Sequence, residues 1–479
     1  MTLYVYNTLS KRQEPFKPLE PDKVKIYTCG LTANDYMHVG HARTYVVWDV
    51  AVRYLRYLGF VVQHVSNVTD ESIDDRFLKR VRELGISFQQ LVNKFTNAYF
   101  EDRYALSVLP ADVHPLVTQH IQEIIEAIQK LVEKGYAYKT EDGVYYSIKK
   151  FRNYGRLAGI KVSKLKAGVS SRVKTDEYEK EAANDFALWK KAKPGEPYWY
   201  SPWGRGRPGW HIECSVLALK YLGESIDIHA GGEDNIFQHH ENEIAQSEAL
   251  TDKPFSRYWL HTRHVFLNEQ RMSKSLKNYI TAREAVNKYG AVVLRFHLLT
   301  THYRSLMDFK EDELAGSKTR LEKLKDAVWV LRSFEERGLE KTKPNEKALL
   351  QAMTEAEQDF KEAMNDDFNT PLAINAVMKL AGKVLAYTEA YEDVSKSTAK
   401  KLSSFFKEIG TILLGDLFER EIEPKTEKQL EALVEMLLAE REKARKRGDY
   451  KTADSIREEL QTIGIHVEDT KQGSKWRFH

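Results

Sequence analysis

KVKIYTCGLTANDYMHVGHARTYVVWDVAVRYLRYLG (residues 23–59) changes its hydrophobic period partway along. In KVKIYTC (23–29) apolar and polar residues alternate, with Val24, Ile26 and Tyr27 among the β-formers, which predicts a strand. Beyond residue 43, Val47, Val50, Ala51, Tyr54, Leu55 and Leu58 recur at helical spacing, and Gly59 supplies a C-terminal stop. FVVQHV (60–65) predicts a second strand. Strand, loop, helix and strand make a parallel crossover unit. Its first loop holds His38 and Gly40, and His41 opens the helix. Ligands of open α/β sheets bind at that place, and the helix start offers an anion free N–H groups and the positive end of a dipole. The loop carries neither of the usual glycine-rich phosphate motifs. A nucleotide would therefore sit here in another manner, with imidazoles at its phosphates and Gly40 letting a purine approach the backbone. Taken alone, H-x-G-H also suits an ordinary turn.

The rest of the chain bounds the answer. Its 479 residues suffice for two to four domains. With 42% hydrophobic and 30% charged residues it reads as a globular protein, with no apolar run of membrane length and no signal-peptide core, and the default expectation is the cytoplasm. A net charge of +3 is too small to imply nucleic acid by itself. Two cysteines, Cys29 and Cys214, exclude a disulfide framework and any C-x-x-C zinc knuckle. VTQHIQEIIEAIQKLVEKG (117–135) predicts an amphipathic helix, and YAYKTEDGVYYSI (136–148) a hairpin turning at Asp142-Gly143. Residues 150–184 are polar and aperiodic, as an insertion would be. The α/β pattern resumes at PGWHIECSVLALKYLG, and beyond about residue 310 the chain is mostly charged, leucine-rich helix.

Two further stretches carry chemistry. In FQHHENEIAQSEA, His239 and Glu243 stand i, i+4 on a predicted helix and share one face, a spacing that can grip a metal ion. Such a pair is equally what a solvated helix offers. The isolated cysteines add to it: Cys29 ends the first strand, and Cys214 follows GWHIE ahead of a helix. Two thiolates, an imidazole and a carboxylate make a zinc set if the fold gathers them; otherwise each cysteine is an inert buried residue. In QRMSKSLKN (270–278), Lys274 lies between serines in a predicted loop, suited to neutralising a triphosphate as it breaks or to plain solvation.

HVGH after the first strand and RMSKS late in the same α/β region resemble the HIGH and KMSKS signatures of class I aminoacyl-tRNA synthetases. NVTD, DFALWK, GRPGWHIECS, HHENEIAQSEA, DDFNTP and the closing DTKQGSKWR narrow the resemblance to the cysteinyl-tRNA synthetase family over essentially the whole chain. Departures are Arg271 for the first lysine of KMSKS, Gln238 for a proline before the histidine pair, Ala230 for a glycine, and the loop after Asp70.

The resemblance implies a Rossmann-like catalytic domain of α/β class (1–112 and 206–260) split by a connective insertion (113–205). A KMSKS junction (261–315), a helical bundle binding tRNA (316–419) and a small α+β anticodon module (420–479) follow. It implies one Zn²⁺ per chain on Cys29, Cys214, His239 and Glu243. It also implies Mg-ATP held and activated by His38, Gly40, His41 and Lys274, and a cysteine pocket lined by Gly30, Thr69, Trp210 and Asp234. Trp476, Arg477 and Arg457 would approach the anticodon of tRNA(Cys). The expected protein is a monomer that activates L-cysteine with ATP and transfers it to the tRNA 3′ end. Two alternatives are a paralogue ligating cysteine to an amino sugar, expected to lack residues like 420–479, and a non-catalytic RNA-binding paralogue, expected to lose the signatures.

Overall fold

A hairpin of β1 (Tyr4–Asn7) and β2 (Arg12–Pro15) precedes the predicted crossover: β3 (Lys23–Thr28), α1 (Val39–Tyr57) and β4 (Val61–Ser66). The computed structural model describes residues 2–70, 75–160, 185–194, 196–272, 278–391, 393–422, 426–462, 465–470 and 473–478. Lys274 and most of the polar stretch 150–184 lie outside the described residues. Two units divide the chain, Met1–Arg420 and Glu421–His479.

In the first unit, α2 (Asp75–Leu84), α3 (Phe88–Ala105) and α4 (Ile121–Glu133) lead into an antiparallel insertion. Its strands are β5 (Ala137–Lys139), β6 (Gly143–Tyr146), β7 (Phe186–Lys191), β8 (Trp199–Ser201) and β9 (Gly204–Pro208), ordered β5-β6-β7-β9-β8. GRGRPG (204–209) has the spacing G-x-G-x-x-G, yet its first five residues form β9 of this sheet rather than a phosphate-binding turn. The α/β pattern resumes with α5 (Trp210–Leu222), β10 (Ile226–Gly232), α6 (Glu241–Thr251) and β11 (Ser256–Thr262). The main sheet runs β11-β10-β3-β4, all parallel. Both its faces are covered, so Val24, Ile26, Tyr27 and Thr28 of β3 are all buried. Gly59, at φ +93°, takes the left-handed turn that ends α1.

A second small sheet, β13-β12-β14, joins β12 (Val265–Leu267), β13 (Gln270–Arg271) and β14 (Met307–Phe309). Between the last two lie α7 (Ala282–Tyr289) and α8 (Ala291–Leu299). Helices α9 (Glu311–Arg337), α10 (Glu346–Asn365), α11 (Thr370–Tyr391), α12 (Lys396–Leu414) and α13 (Asp416–Ile422) follow. One hydrophobic core links Tyr27 and Val65 of the main sheet to Ile124 and Ile128 of α4, Leu217 of α5, and Val144 and Trp189 of the insertion. The insertion is thus packed onto the α/β core rather than hung from it, and its position relative to the strand ends is fixed.

The second unit holds α14 (Thr426–Lys446), α15 (Tyr450–Thr462) and the hairpin β15 (Ile465–Thr470) with β16 (Gly473–Phe478). Val434, Leu438, Leu460, Ile465 and Val467 form its core.

Candidate active site and metal centre

The first turn of α1 answers the question raised by H-x-G-H. His38 is the helix N-cap; its Nδ1 accepts from the His41 N–H at 3.2 Å, while His41 Nδ1 accepts from the His38 N–H at 3.4 Å. This is a capping box with an imidazole in both positions. The rings stack, centroids 3.6 Å apart. With Nδ1 accepting, each neutral ring carries its proton on Nε2. Helix starts usually use Ser, Thr or Asp here; two imidazoles place donors at a helix N-terminus, where an anion is favoured. A Cβ on Gly40 would stand 3.0 Å from the His38 ring, so a side chain there would crowd the stack.

This turn is tied to the chain just after the stretch that includes Lys274. Val39 N–H donates to Ile280 O at 3.0 Å, and Ala282 N–H to Met37 O at 2.7 Å. One turn further along α1, Arg43 is fully buried and its guanidinium donates to the carbonyls of Arg263 (3.0 Å), His264 (3.4 Å), Thr301 (3.5 Å), His302 (2.8 Å) and Ser305 (2.9 Å). Burial lowers its pKa to about 10, which leaves it charged at neutral pH.

The second cluster lies just beyond β3. Cys29 follows its last residue, Cys214 sits inside α5 rather than ahead of a helix, and Glu243 lies in the first turn of α6. His239 occupies the irregular turn Ile236–His240 before α6, where Phe237 leaves helical geometry, so the expected shared regular helix is replaced by a kinked one. The i, i+4 contact survives, with His239 Nε2 at 3.1 Å from Glu243 Oε1. One ligand atom from each of Cys29, Cys214, His239 and Glu243 lies within 4.8 Å of the others. Donors about 2.0–2.3 Å from one ion stand about 3.5 Å apart, so the residues fit a tetrahedral zinc site with modest contraction. Cys29, His229, His240 and Glu243 satisfy the same distance criterion.

Burial governs the electrostatics. It pushes the Cys29 thiol well above its usual range, helped by Cys214 and Glu243, and does the same to the Glu243 carboxyl. It holds His239 and His240 well below the ordinary imidazole range and brings His211, His229 and His261 down to about 3. Neutral imidazoles beside protonated thiol and carboxyl form a set from which a divalent cation would displace protons.

Sequence reading missed the histidines around this set. His211 Nδ1 meets His239 Nδ1 at 2.8 Å, and His229 Nε2 meets Glu243 Oε2 at 2.8 Å. His240 Nε2 stands 3.3 Å from Cys29 Sγ, and its Nδ1 continues to His261 and Thr8 by contacts of 2.8 Å each. Such contacts orient ligating side chains. The available signal was compositional: six of the fifteen histidines fall between residues 211 and 264.

Three of the four expected pocket residues adjoin the cluster. Gly30 packs so tightly that a Cβ would lie 1.5 Å from Asn67 O, and its N–H donates to Asn67 Oδ1 at 2.9 Å. Cys214 Sγ donates to that same Oδ1 at 3.7 Å, and Thr69 Oγ1 accepts from Asn67 Nδ2 at 3.1 Å. Trp210 stacks on His239 with centroids 4.5 Å apart. Asp234 is exposed in the turn after β10; it touches the place where a Gly232 Cβ would stand, 4.0 Å from Thr44 Oγ1 of α1. In the second unit, Trp476 is half-buried against the small core, Arg457 is exposed on α15, and the side chain of Arg477 lies outside the described residues.

Comparison with known proteins adds three family matches. Residues 15–319 match tRNA synthetases class I (C) catalytic domain, 359–415 the DALR domain, and 427–477 the cysteinyl-tRNA ligase anticodon binding domain. The chain is 47% identical to a cysteine–tRNA ligase of Thermococcus onnurineus over 479 residues, covering 100% of this chain and 99% of that one. It is 45% identical over 500 residues to the cysteine–tRNA ligase of Aquifex aeolicus, with the same coverage. Among solved structures, methionyl-tRNA synthetase of Mycobacterium tuberculosis with methionyl-adenylate superposes with TM-score 0.60 at 12% identity, covering 86% of this chain and 94% of that one. A LeuRS–tRNA–LeuAMS ternary complex of Agrobacterium radiobacter gives 0.62 at 10% identity, covering 85% and 86%. These two show the fold alone. Among the described residues, no helix is long and apolar enough to cross a membrane.

Proposed function

This chain belongs to the cysteinyl-tRNA synthetase family, and from that premise we propose how its residues divide the work of an ATP-dependent cysteine–tRNA ligase. The observation that carries the reading is the convergence of Cys29, Cys214, His239 and Glu243 on one point beyond β3. A zinc ion held by these four would take the substrate side chain as thiolate, because Zn²⁺ favours sulfur and lowers a thiol's pKa. We prefer this set to the overlapping one because it offers two sulfurs, and because His229 and His240 already support Glu243 and Cys29.

In the first step the cysteine carboxylate attacks the α-phosphate of Mg-ATP. An oxygen–phosphorus bond forms, the α–β anhydride breaks, and pyrophosphate leaves. In the second, a terminal ribose hydroxyl of the tRNA attacks the acyl carbon and AMP leaves. Neither step needs a protein nucleophile, so positioning and charge stabilisation do the catalysis. His38 and His41 present Nε2 donors to the triphosphate, the α1 N-terminus favours its charge, and Lys274 neutralises the departing pyrophosphate. Gly30 and Thr69 border the thiol end, and Trp210 covers His239. Trp476, Arg457 and Arg477 face the anticodon from the second unit. The domain limits given above divide these tasks along the chain.

The test is ATP–pyrophosphate exchange with each amino acid in turn, with the metal content of the same sample measured. Cysteine alone should support exchange on protein holding about one zinc per chain; exchange driven by another amino acid, or none on zinc-loaded protein, overturns the assignment. In the same assay Lys274→Ala should lose about 10²-fold in turnover, and near-normal turnover removes Lys274 from its role.

A further inference from the structure

Tyr27 carries a hydroxyl that the packing of the sheet does not account for. Its side chain is fully buried, and the hydroxyl has no hydrogen-bond partner among the described residues. A phenylalanine would fill the same space without the cost of an unsatisfied buried oxygen. Register shows what the hydroxyl faces. Tyr27 lies two residues before Cys29, and residues two apart on an extended chain share a face. Its partner on β10 is His229, with ring centroids 5.2 Å apart, and His229 Nε2 in turn reaches Glu243 Oε2. Tyr27 and Cys214 of α5 belong to one buried cluster. Burial pushes the Tyr27 phenol far above its ordinary range, with Cys214, Cys29 and Glu243 adding to the effect, so it keeps its proton and remains a donor.

The four proposed ligands are unevenly supported. His239 is met by His211, Glu243 by His229 and Cys29 by His240. Among the described residues, no histidine bonds to Cys214. Its own S–H donates to Asn67 Oδ1 at 3.7 Å, and its other neighbour is the thiol of Cys29. Both contacts use thiol protons, which metal binding removes. Two thiolates and a carboxylate carry more negative charge than Zn²⁺ balances, and a substrate thiolate adds to the excess. Among buried neutral imidazoles, that excess is held by hydrogen bonds from donors. Cys214 is thus a ligand that needs a donor once it is ionised, and Tyr27 is a donor in want of an acceptor.

We propose that the Tyr27 hydroxyl donates a hydrogen bond to the Cys214 thiolate when the metal is bound, and that this bond sets how tightly the site holds zinc and the substrate sulfur. The inference rests on the cysteine–tRNA ligase reading and its zinc set. Tyr27 acts through Cys214, as a positioning residue. A hydrogen bond to a ligating thiolate fixes the sulfur's orientation and draws charge from it, which leaves the metal better able to accept a further thiolate.

Tyr27→Phe removes one oxygen and little else. Without metal, the variant should melt at the parent's Tm or above it, because the hydroxyl has no partner there. Zinc should raise Tm less in the variant than in the parent. Zinc affinity, read by chelator competition, should fall about ten-fold or more, as for other outer partners of metal ligands. In cobalt-loaded protein the thiolate-to-metal charge-transfer band should move to lower energy, since a thiolate that accepts no hydrogen bond gives up an electron more readily. In pyrophosphate exchange, KM for cysteine should rise and KM for ATP should stay as it is. In a Cys214→Ala background the same change should cost no further zinc affinity. Parental zinc affinity with an unmoved cobalt band overturns the proposal. So does a metal-free variant less stable than the metal-free parent, which would make the hydroxyl a structural group. An equal loss in the Cys214→Ala background also overturns it, by placing the hydroxyl on another ligand. Failure of the underlying reading looks different: the parent protein itself would hold no zinc or show no cysteine-dependent exchange.

Discussion

Cysteine and serine differ by one side-chain atom, and a pocket that reads only shape separates such near-isosteres by roughly 10²-fold. The proposed cluster reads donor chemistry instead. A thiol binds zinc as thiolate at neutral pH, whereas an alcohol must deprotonate from a far higher pKa or bind weakly. Cys214→Ser should therefore lower zinc content and cysteine affinity together, and His239→Ala should do the same from the α6 side. Elemental analysis beside amino-acid titration checks this. Metal-free parent protein that activates cysteine and rejects serine as well as the zinc-loaded form does would sink the idea. The ligand candidates are legible in sequence because only two cysteines occur and the His–Glu spacing is helical. Their surroundings are not. His211, His229, His240 and His261 make contacts between elements distant in the chain, and no local spacing encodes that His229 meets Glu243 or that His261 continues to Thr8.

At the scale of elements, α1 organises the site. Its first turn pairs with residues 280–282, and Arg43, one turn on, gathers five carbonyls from two distant segments. Lysine in its place keeps the charge but has three donors on a single point, so at least two buried carbonyls lose a partner. Arg43→Lys should cost about 2 kcal/mol or more in stability. At temperatures where it stays folded, KM for ATP should rise and turnover fall about ten-fold, with KM for cysteine little changed. Unaltered ATP parameters, or equal losses for both substrates, would reduce Arg43 to a structural prop. The helix was legible: Val47, Val50, Ala51, Tyr54 and Leu55 are buried as their spacing predicts. What periodicity could not show is that α1 is buried on nearly every side, with Arg43 and Asp49 inside. Asp49 is matched by Arg53 on its own helix but also by Arg295, 246 positions away, and by the N–H of Leu109. Partners so remote leave no mark in a local pattern.

At the scale of the whole chain, every residue proposed to act in activation lies in Met1–Arg420, and Glu421–His479 has a core of its own. Protein ending at Arg420 should keep cysteine-dependent exchange and lose efficiency in charging tRNA. Folded, truncated protein that charges tRNA at full efficiency would show that the second unit does not read the anticodon. Trp476 is half-buried against the core of that module, so its ring serves the module's own packing as well as the role proposed for it. The separation of Cys29 from Glu243 along the chain, 214 positions, also bears on how the protein is made. At ordinary rates of translation, about 5–20 residues per second, the ribosome takes about 10–40 s to travel from one to the other. For most of that time β3 lacks its neighbour β10, and the Cys29 thiol emerges with no partner ligand yet synthesised. Loading of the proposed metal would therefore belong to the end of biosynthesis, when all four ligands are present.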